Sequence, residues 1–303
     1  MNATPNVAAS VMSRLLTRSK TRGDDYQLLV TAYAFERLLY RLGQSLVRDR
    51  FVLKGAMLLR LWSDQPYRAT RDLDLLRRGD GSVDAIRADL EAIITTPVPD
   101  DGIVFDASRL VLEPMCADDE YVGTRAVLPA RCGKARLSLQ IDLGVGDAVW
   151  PEPIVRQYPA LLDAPAPEVF AYVRETVVAE KLEALVVLGD RNSRIKDFFD
   201  LHMLATTFTF DRRELSESVR RTFERRRTPI PEAAPIGLTP EYWKNPSRPA
   251  QVRAFARRAG LVEPGEMDGD FTATLAAFLL PILEDLGAGA AQAGTWRPGG
   301  PWR

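Results

Sequence analysis

The segment "RATRDLDLLRR", Arg68 to Arg78, sets Asp72 and Asp74 one residue apart in what otherwise reads as a buried strand. Successive strand side chains point to opposite faces, so Asp72 and Asp74 share one face while Leu73 and Leu75 take the other. Two carboxylates that close repel one another unless a cation lies between them. A solvated strand face, with Arg68 and Arg71 compensating the charge, is the plainer account. The chemical account is a divalent-cation site, because hard Mg2+ takes oxygen ligands, usually one or two carboxylates plus substrate phosphates. Asp142 lies on the polar face of "ARLSLQIDLGV" and would supply a third carboxylate from a separate strand. Acids converging in this way can hold ions that activate an attacking hydroxyl and neutralise a leaving phosphate.

Two further places break their local pattern. In "VLKGAMLL", Lys54, Gly55 and Ala56 follow an apolar strand and open a helix. Small residues there let a phosphate approach backbone N–H groups at the positive end of the helix dipole, and Lys54 adds a point charge. A purely structural turn explains the same residues. Farther along, Lys181 falls on the stripe Val173, Val177, Lys181, Leu185, where an apolar residue is expected. It either snorkels or faces a phosphate site across the domain gap. "RIKDFFDLHML" puts Asp197 and Asp200 on one helix face with Leu201 and Leu204. The blander account is a salt bridge from Asp197 to Lys181 or Arg194, and a buried pair of that kind is no obvious gain in stability.

The elements that must position these residues follow from periodicity. Asp24 is expected to cap a helix over "DYQLLVTAYAFERLLYRLGQSLV", whose stripe runs from Leu28 to Leu46. Strand, turn, short helix, loop and strand then follow through Arg78, and Ser82 caps "SVDAIRADLEAIITT". "RLVLEPM", "RAVLPAR" and "ARLSLQIDLGV" read as strands around a Cys132-Gly133 turn. Prolines mark a linker from Pro151 to Pro167, after which the chain is helical, beginning with "PEVFAYVRETVVAEKLEALVVLG". The layout is α+β: an N-terminal helix with a small mixed-sheet core over 1–150, a helical domain over 151–290, and a mobile tail over 291–303.

Composition narrows the chemistry. The net charge of −1 gives no global argument for nucleic acid, although the basic helix "RRELSESVRRTFERRR" is a local candidate. The single histidine, His202, argues against a His-based triad or a zinc site, and two cysteines make no disulfide framework. No stretch reaches the roughly 20 apolar residues of a membrane span, and a cytoplasmic protein is expected. Of 40 basic residues only six are Lys, and three of those, Lys54, Lys181 and Lys196, sit in the segments above.

The order of "LKGAMLLRLW", "RATRDLDL", "LQIDLG", "VVAEKLEAL" and "RIKDFFDL" resembles the AbiEii family of nucleotidyltransferase toxins, which includes the MenT toxins and the effectors of AbiE abortive-infection systems. The Asp-x-Asp element is common to polymerase-β-like nucleotidyltransferases; the later Lys and Arg-x-Lys-Asp-x-x-Asp elements point to this branch. The resemblance implies a polymerase-β-like core in which Asp72 and Asp74, with Asp142, bind Mg2+. It implies that Lys54, Gly55, Ala56, Arg68 and Lys196 contact an NTP, and that Lys181 and Asp197 are catalytic with the two metal acids. Ala56 stands where relatives commonly carry Gly or Ser, so any hydroxyl contact there is lost. The implied activity is transfer of NMP to a tRNA 3′ end, blocking translation, in a toxin paired with a winged-helix antitoxin. Transfer to a protein or small-molecule acceptor, or nucleotide binding without catalysis, stays open beside it.

Overall fold

The computed structural model describes residues 6–63, 70–117, 120–259 and 269–303. It comprises two compact units, Met1–Gly146 with Ile154–Ala171, and Asp147–Pro153 with Tyr172–Arg303.

The first unit begins with two helices. Helix α1 (Val7–Arg22) is opened by the Asn6 side chain, which accepts from the Ala9 N–H, and closed by Gly23 in the left-handed region at φ 76°. Sequence periodicity misses it because it buries only Val11 and Leu15. Helix α2 (Tyr26–Gln44) is capped by Asp25, one residue after the expected Asp24. Its stripe is buried as predicted at Leu29, Phe35, Leu38, Leu39 and Leu42, but Leu46 lies beyond the helix end and is exposed.

Strand β1 (Phe51–Lys54), the single-turn helix α3 (Leu59–Trp62), β2 (Asp72–Arg77) and α4 (Val83–Ile94) follow. Then come β3 (Ile103–Phe105), β4 (Val111–Ala117), β5 (Glu120–Cys132), β6 (Ala135–Val145), β7 (Ile154–Gln157) and β8 (Glu168–Ala171). Among the described residues these strands form one eight-stranded sheet in the order β3-β5-β6-β2-β1-β8-β7, with β4 also on β5. It is mixed: β2 runs parallel to β6, β1 parallel to β8, and the remaining pairs are antiparallel. A two-residue turn, Gly133-Lys134, joins β5 to β6, with Gly133 at φ 58°. Leu73, Leu75, Leu139, Ile141 and Leu143 are at most 2% exposed and make one face the core, each contributing about 1.5–3 kcal/mol.

Two boundaries differ from the sequence reading. The expected linker contains β7 and buries Tyr158 and Leu161 in the sheet unit. The helix expected from Pro167 starts only at Arg174, because Glu168–Ala171 pairs as a strand, Phe170 opposite Val52.

The second unit holds α5 (Arg174–Leu188), α6 (Ile195–Thr207), β9 (Phe210–Asp211) and α7 (Arg212–Arg226), then α8 (Pro240–Trp243), α9 (Arg248–Ala259), α10 (Gly269–Ala288) and β10 (Thr295–Trp296). By length and composition alone the Phe271–Ala288 segment of α10 could cross a membrane, yet Leu275, Phe278, Leu279 and Ile282 are fully buried within this unit. Its packing against α6 and α7 accounts for the apolar run. The tail over 291–303 departs from the expected mobility. Trp296 is fully buried, donates to the Ala205 carbonyl at 2.7 Å, and lies in a strand paired with β9.

Candidate active site

Strand register decides which of the predicted residues share a surface. Lys54 on β1 lies opposite Asp74 on β2. Asp74 lies opposite Asp142 on β6, and Asp142 opposite Arg125 on β5. Cross-strand partners project from the same face, so Lys54, Asp74, Asp142 and Arg125 form a row over four adjacent strands. Asp72, two residues before Asp74, sits on that face opposite Gln140. The alternation that buries Leu73 and Leu75 thereby brings the acids together on the other side of the sheet.

Each carboxylate has its own surroundings. Thr70 Oγ1 donates to Asp72 Oδ1. Arg125 forks onto Asp142, Nε to Oδ1 and Nη2 to Oδ2, both at 2.8 Å, and Gln140 Nε2 adds a contact to Oδ2 at 3.3 Å. The hydrogen bonds that Arg125 donates to Asp142, with the charges of Asp142 and Asp72, hold its guanidinium above its ordinary value against the opposing effect of burial. Asp142 is therefore in register with the acid pair, as expected, but its oxygens are occupied by arginine. Among the described residues no three His, Cys, Asp or Glu side chains are gathered to hold a metal ion. The donor set that fits a hard cation is the all-oxygen pair Asp72 and Asp74, with phosphate oxygens completing the shell.

After Lys54 the chain turns into a short helix, as expected. Gly55–Leu58 is a 3-10 turn running into the four-residue α3. Gly55 has φ +68°, and a Cβ there would come within 1.9 Å of Asp74 Oδ2. The glycine thus leaves room for the Asp74 carboxylate, a reason for it independent of any phosphate. Ala56 is half-buried in the same turn. Arg68 lies outside the described residues. Gly55→Ala is expected to lose about 1–2 kcal/mol from left-handed backbone strain. Urea denaturation of the variant beside wild type measures this loss.

In the helical unit, Lys181 of α5 reaches two acids of α6, Asp197 Oδ1 at 2.6 Å and Asp200 Oδ2 at 2.7 Å. Arg194 Nε is 2.6 Å from Asp197 Oδ2, an ion pair without hydrogen-bond alignment. Burial alone would lower the Lys181 ammonium, but the two carboxylates outweigh it and hold it above its ordinary value. Burial likewise works to raise Asp197, and the charges of Lys181 and Arg194 outweigh it and hold that carboxyl low. The salt bridge that sequence offered as the blander account is present, and it includes Asp200. Lys196, on the same helix, is exposed.

Four arginines of the basic helix are paired, two of them with acids of the same helix. Arg212 forks onto Asp285, Arg220 pairs with Glu217 and Glu224, Arg221 with Glu217, and Arg226 with Glu183. Its hydrogen bonds from Arg220, with those from Arg221, hold Glu217 down to about 2. Arg125 is the site residue that periodicity does not single out; its place opposite Asp142 in the β5–β6 hairpin was the available signal.

No curated protein matches the sequence. Among solved structures, the nucleotidyltransferase toxin MenT4 from Mycobacterium tuberculosis H37Rv is similar at 16% identity and TM-score 0.53, over 92% of this chain and 99% of that one. A candidate nucleotidyltransferase from H. pylori matches at 15% identity and TM-score 0.49, over 89% of this chain and 100% of that one. The model of the nucleotidyl transferase AbiEii toxin of Type IV toxin–antitoxin systems matches residues 37–279. With that match spanning the sheet face, its acid pair and the Lys181 cluster, the chain belongs to the AbiEii nucleotidyltransferase toxin family.

Proposed function

We propose that this toxin nucleotidyltransferase transfers an NMP from an NTP to the 3′ end of tRNA in the cytoplasm, with Mg2+ as its cofactor, and so blocks translation. The observation that carries this reading is the placing of Asp72 and Asp74 on one sheet face, with Lys54 opposite Asp74. In the reaction, the 3′-hydroxyl oxygen bonds to the α-phosphorus and gives up its proton to solvent, the bond from the α-phosphorus to the α–β bridging oxygen breaks, and pyrophosphate leaves. Asp72 and Asp74 would hold Mg2+, which would supply activation of the hydroxyl and neutralisation of the leaving phosphate. Lys54 offsets phosphate charge, Gly55 keeps room for Asp74, and Ala56, Arg68 and Lys196 are carried as nucleotide contacts on the family resemblance alone. Lys181 and Asp197 are carried as catalytic residues on the same ground. Chemistry of this type rests on positioning and charge neutralisation, which suits acids and lysines without a His or Cys nucleophile.

Membership of a toxin–antitoxin family implies an antitoxin partner, and a winged-helix protein is the proposed one. For RNA contact, α7 interleaves its arginines with Glu214, Glu217 and Glu224. Helix α9 contains no acid and exposes Arg253, Arg257 and Arg258, which favours it as the phosphate-facing surface. The test is incubation of the protein with total tRNA, Mg2+ and each α-labelled NTP in turn. Label in tRNA, lost in EDTA, is expected for one or more nucleotides. Label that instead enters protein or a small molecule would move the acceptor away from RNA.

A further inference from the structure

Arg125 has a position and a geometry that the fold does not require. It faces the same side of the sheet as Asp72 and Asp74, at the end of the row that begins with Lys54. Its side chain is 39% exposed, whereas that of Asp142 is 16% exposed. An ion pair with one partner this exposed adds little stability, while fixing a long side chain costs entropy. The fork uses Nε and Nη2, leaving Nη1 with no acceptor among the described residues. Charges along the row run cation, carboxylate, carboxylate, cation. Asp142 is thus neutralised by its own arginine, and the planar guanidinium is held rigidly beside the acid pair with one amino group to spare. The remaining amino group is a charge-assisted donor suited to a phosphate oxygen.

We infer that Arg125 binds the nucleotide's phosphates and that Asp142 is the positioning residue that aims it, leaving the cation to Asp72 and Asp74. The inference rests on the nucleotide-transfer reading above and adds to it a division of labour between the three acids.

The test is equilibrium dialysis of the full chain with ATP, CTP, GTP and UTP in turn, at fixed Mg2+ and across a Mg2+ titration. The variants are Arg125→Gln, Arg125→Lys, Asp142→Asn, the Arg125→Gln/Asp142→Asn double and Asp74→Asn, each with a melting curve to verify folding. Arg125→Gln is expected to weaken binding about tenfold or more, as for a lost charge-assisted hydrogen bond. Arg125→Lys should recover part of that loss. Asp142→Asn should weaken binding without moving the half-saturating Mg2+ concentration, and the double variant should be no worse than Arg125→Gln alone. A raised half-saturating Mg2+ in Asp142→Asn, with binding by Arg125→Gln unchanged or tighter, would make Asp142 a metal ligand and overturn the inference. If Asp74→Asn abolishes binding while Arg125→Gln does not, the inference falls and nucleotide transfer stands. If the wild-type chain binds none of the four nucleotides, both fall.

Discussion

Replacing Asp74 with Asn, or Asp72 with Asn, is expected to lower nucleotide transfer by about 10³-fold or more while leaving the protein folded. Asn keeps the volume and one acceptor oxygen but removes the charge that a hard cation needs. Both side chains lie on the face opposite the core, so packing of Leu73 and Leu75 is untouched. The strand should tolerate the change within about 1 kcal/mol, since it relieves repulsion between neighbouring like charges. Rate is read as label transferred to whichever acceptor the labelling assay identifies, and stability as the denaturation midpoint. A variant that retains wild-type transfer would remove the acid pair from the reaction. Equal loss of rate and of folding would make the two aspartates structural.

The acid pair was legible because alternation in a strand is strict: two aspartates spaced by one residue must share a face wherever the strand lies. Asp142 was legible in the same way, from the clean alternation of Leu137 to Leu143. What alternation cannot supply is register. Only the pairing of β2 with β6 and of β6 with β5 places Asp142 beside Asp74 and Arg125 beside Asp142. Sequence read Lys54-Gly55-Ala56 as a helix start facing phosphate, because the strand-to-turn signal is local. The close approach of Gly55 to the Asp74 side chain is a tertiary fact that no local pattern encodes. Helix α1 escaped notice for another reason. Its caps, Asn6 and Gly23, are ordinary signals, but only two of its side chains reach the core, so no apolar stripe marks it. The tail failed on composition: Gly, Ala and Pro suggested mobility, yet Trp296 and its hydrogen bond to Ala205 anchor it.

Lys181→Met is the variant expected to cost most in stability, about 3–5 kcal/mol, because it leaves buried carboxylates without their cation. Asp197 and Asp200 are 2% and 3% exposed, and the half-exposed Arg194 pairs with Asp197. Adding Asp200→Asn leaves one positive and one negative charge, Arg194 and Asp197, and should recover most of the loss. The signs of the pKa shifts set the pH window. Asp197 is held below its unfolded value, so its contribution is present above about pH 3.9 and is lost as pH falls through the lower folded value. Lys181 is held above its unfolded value, so its contribution is complete below about pH 10.4 and is lost as pH rises through the higher folded value. Wild type should therefore show a broad plateau between those limits. In Lys181→Met the acid limb should move to higher pH, since burial then acts on the Asp197 carboxyl with the charge of Lys181 gone. Urea midpoints from pH 3 to pH 10 measure this, and an acid limb unmoved by the substitution would detach the lysine from the stability of the two acids. The double variant also separates fold from reaction. Once it is as stable as wild type, lost transfer assigns the Lys181 ammonium to the reaction itself, and full transfer confines it to joining α5 with α6.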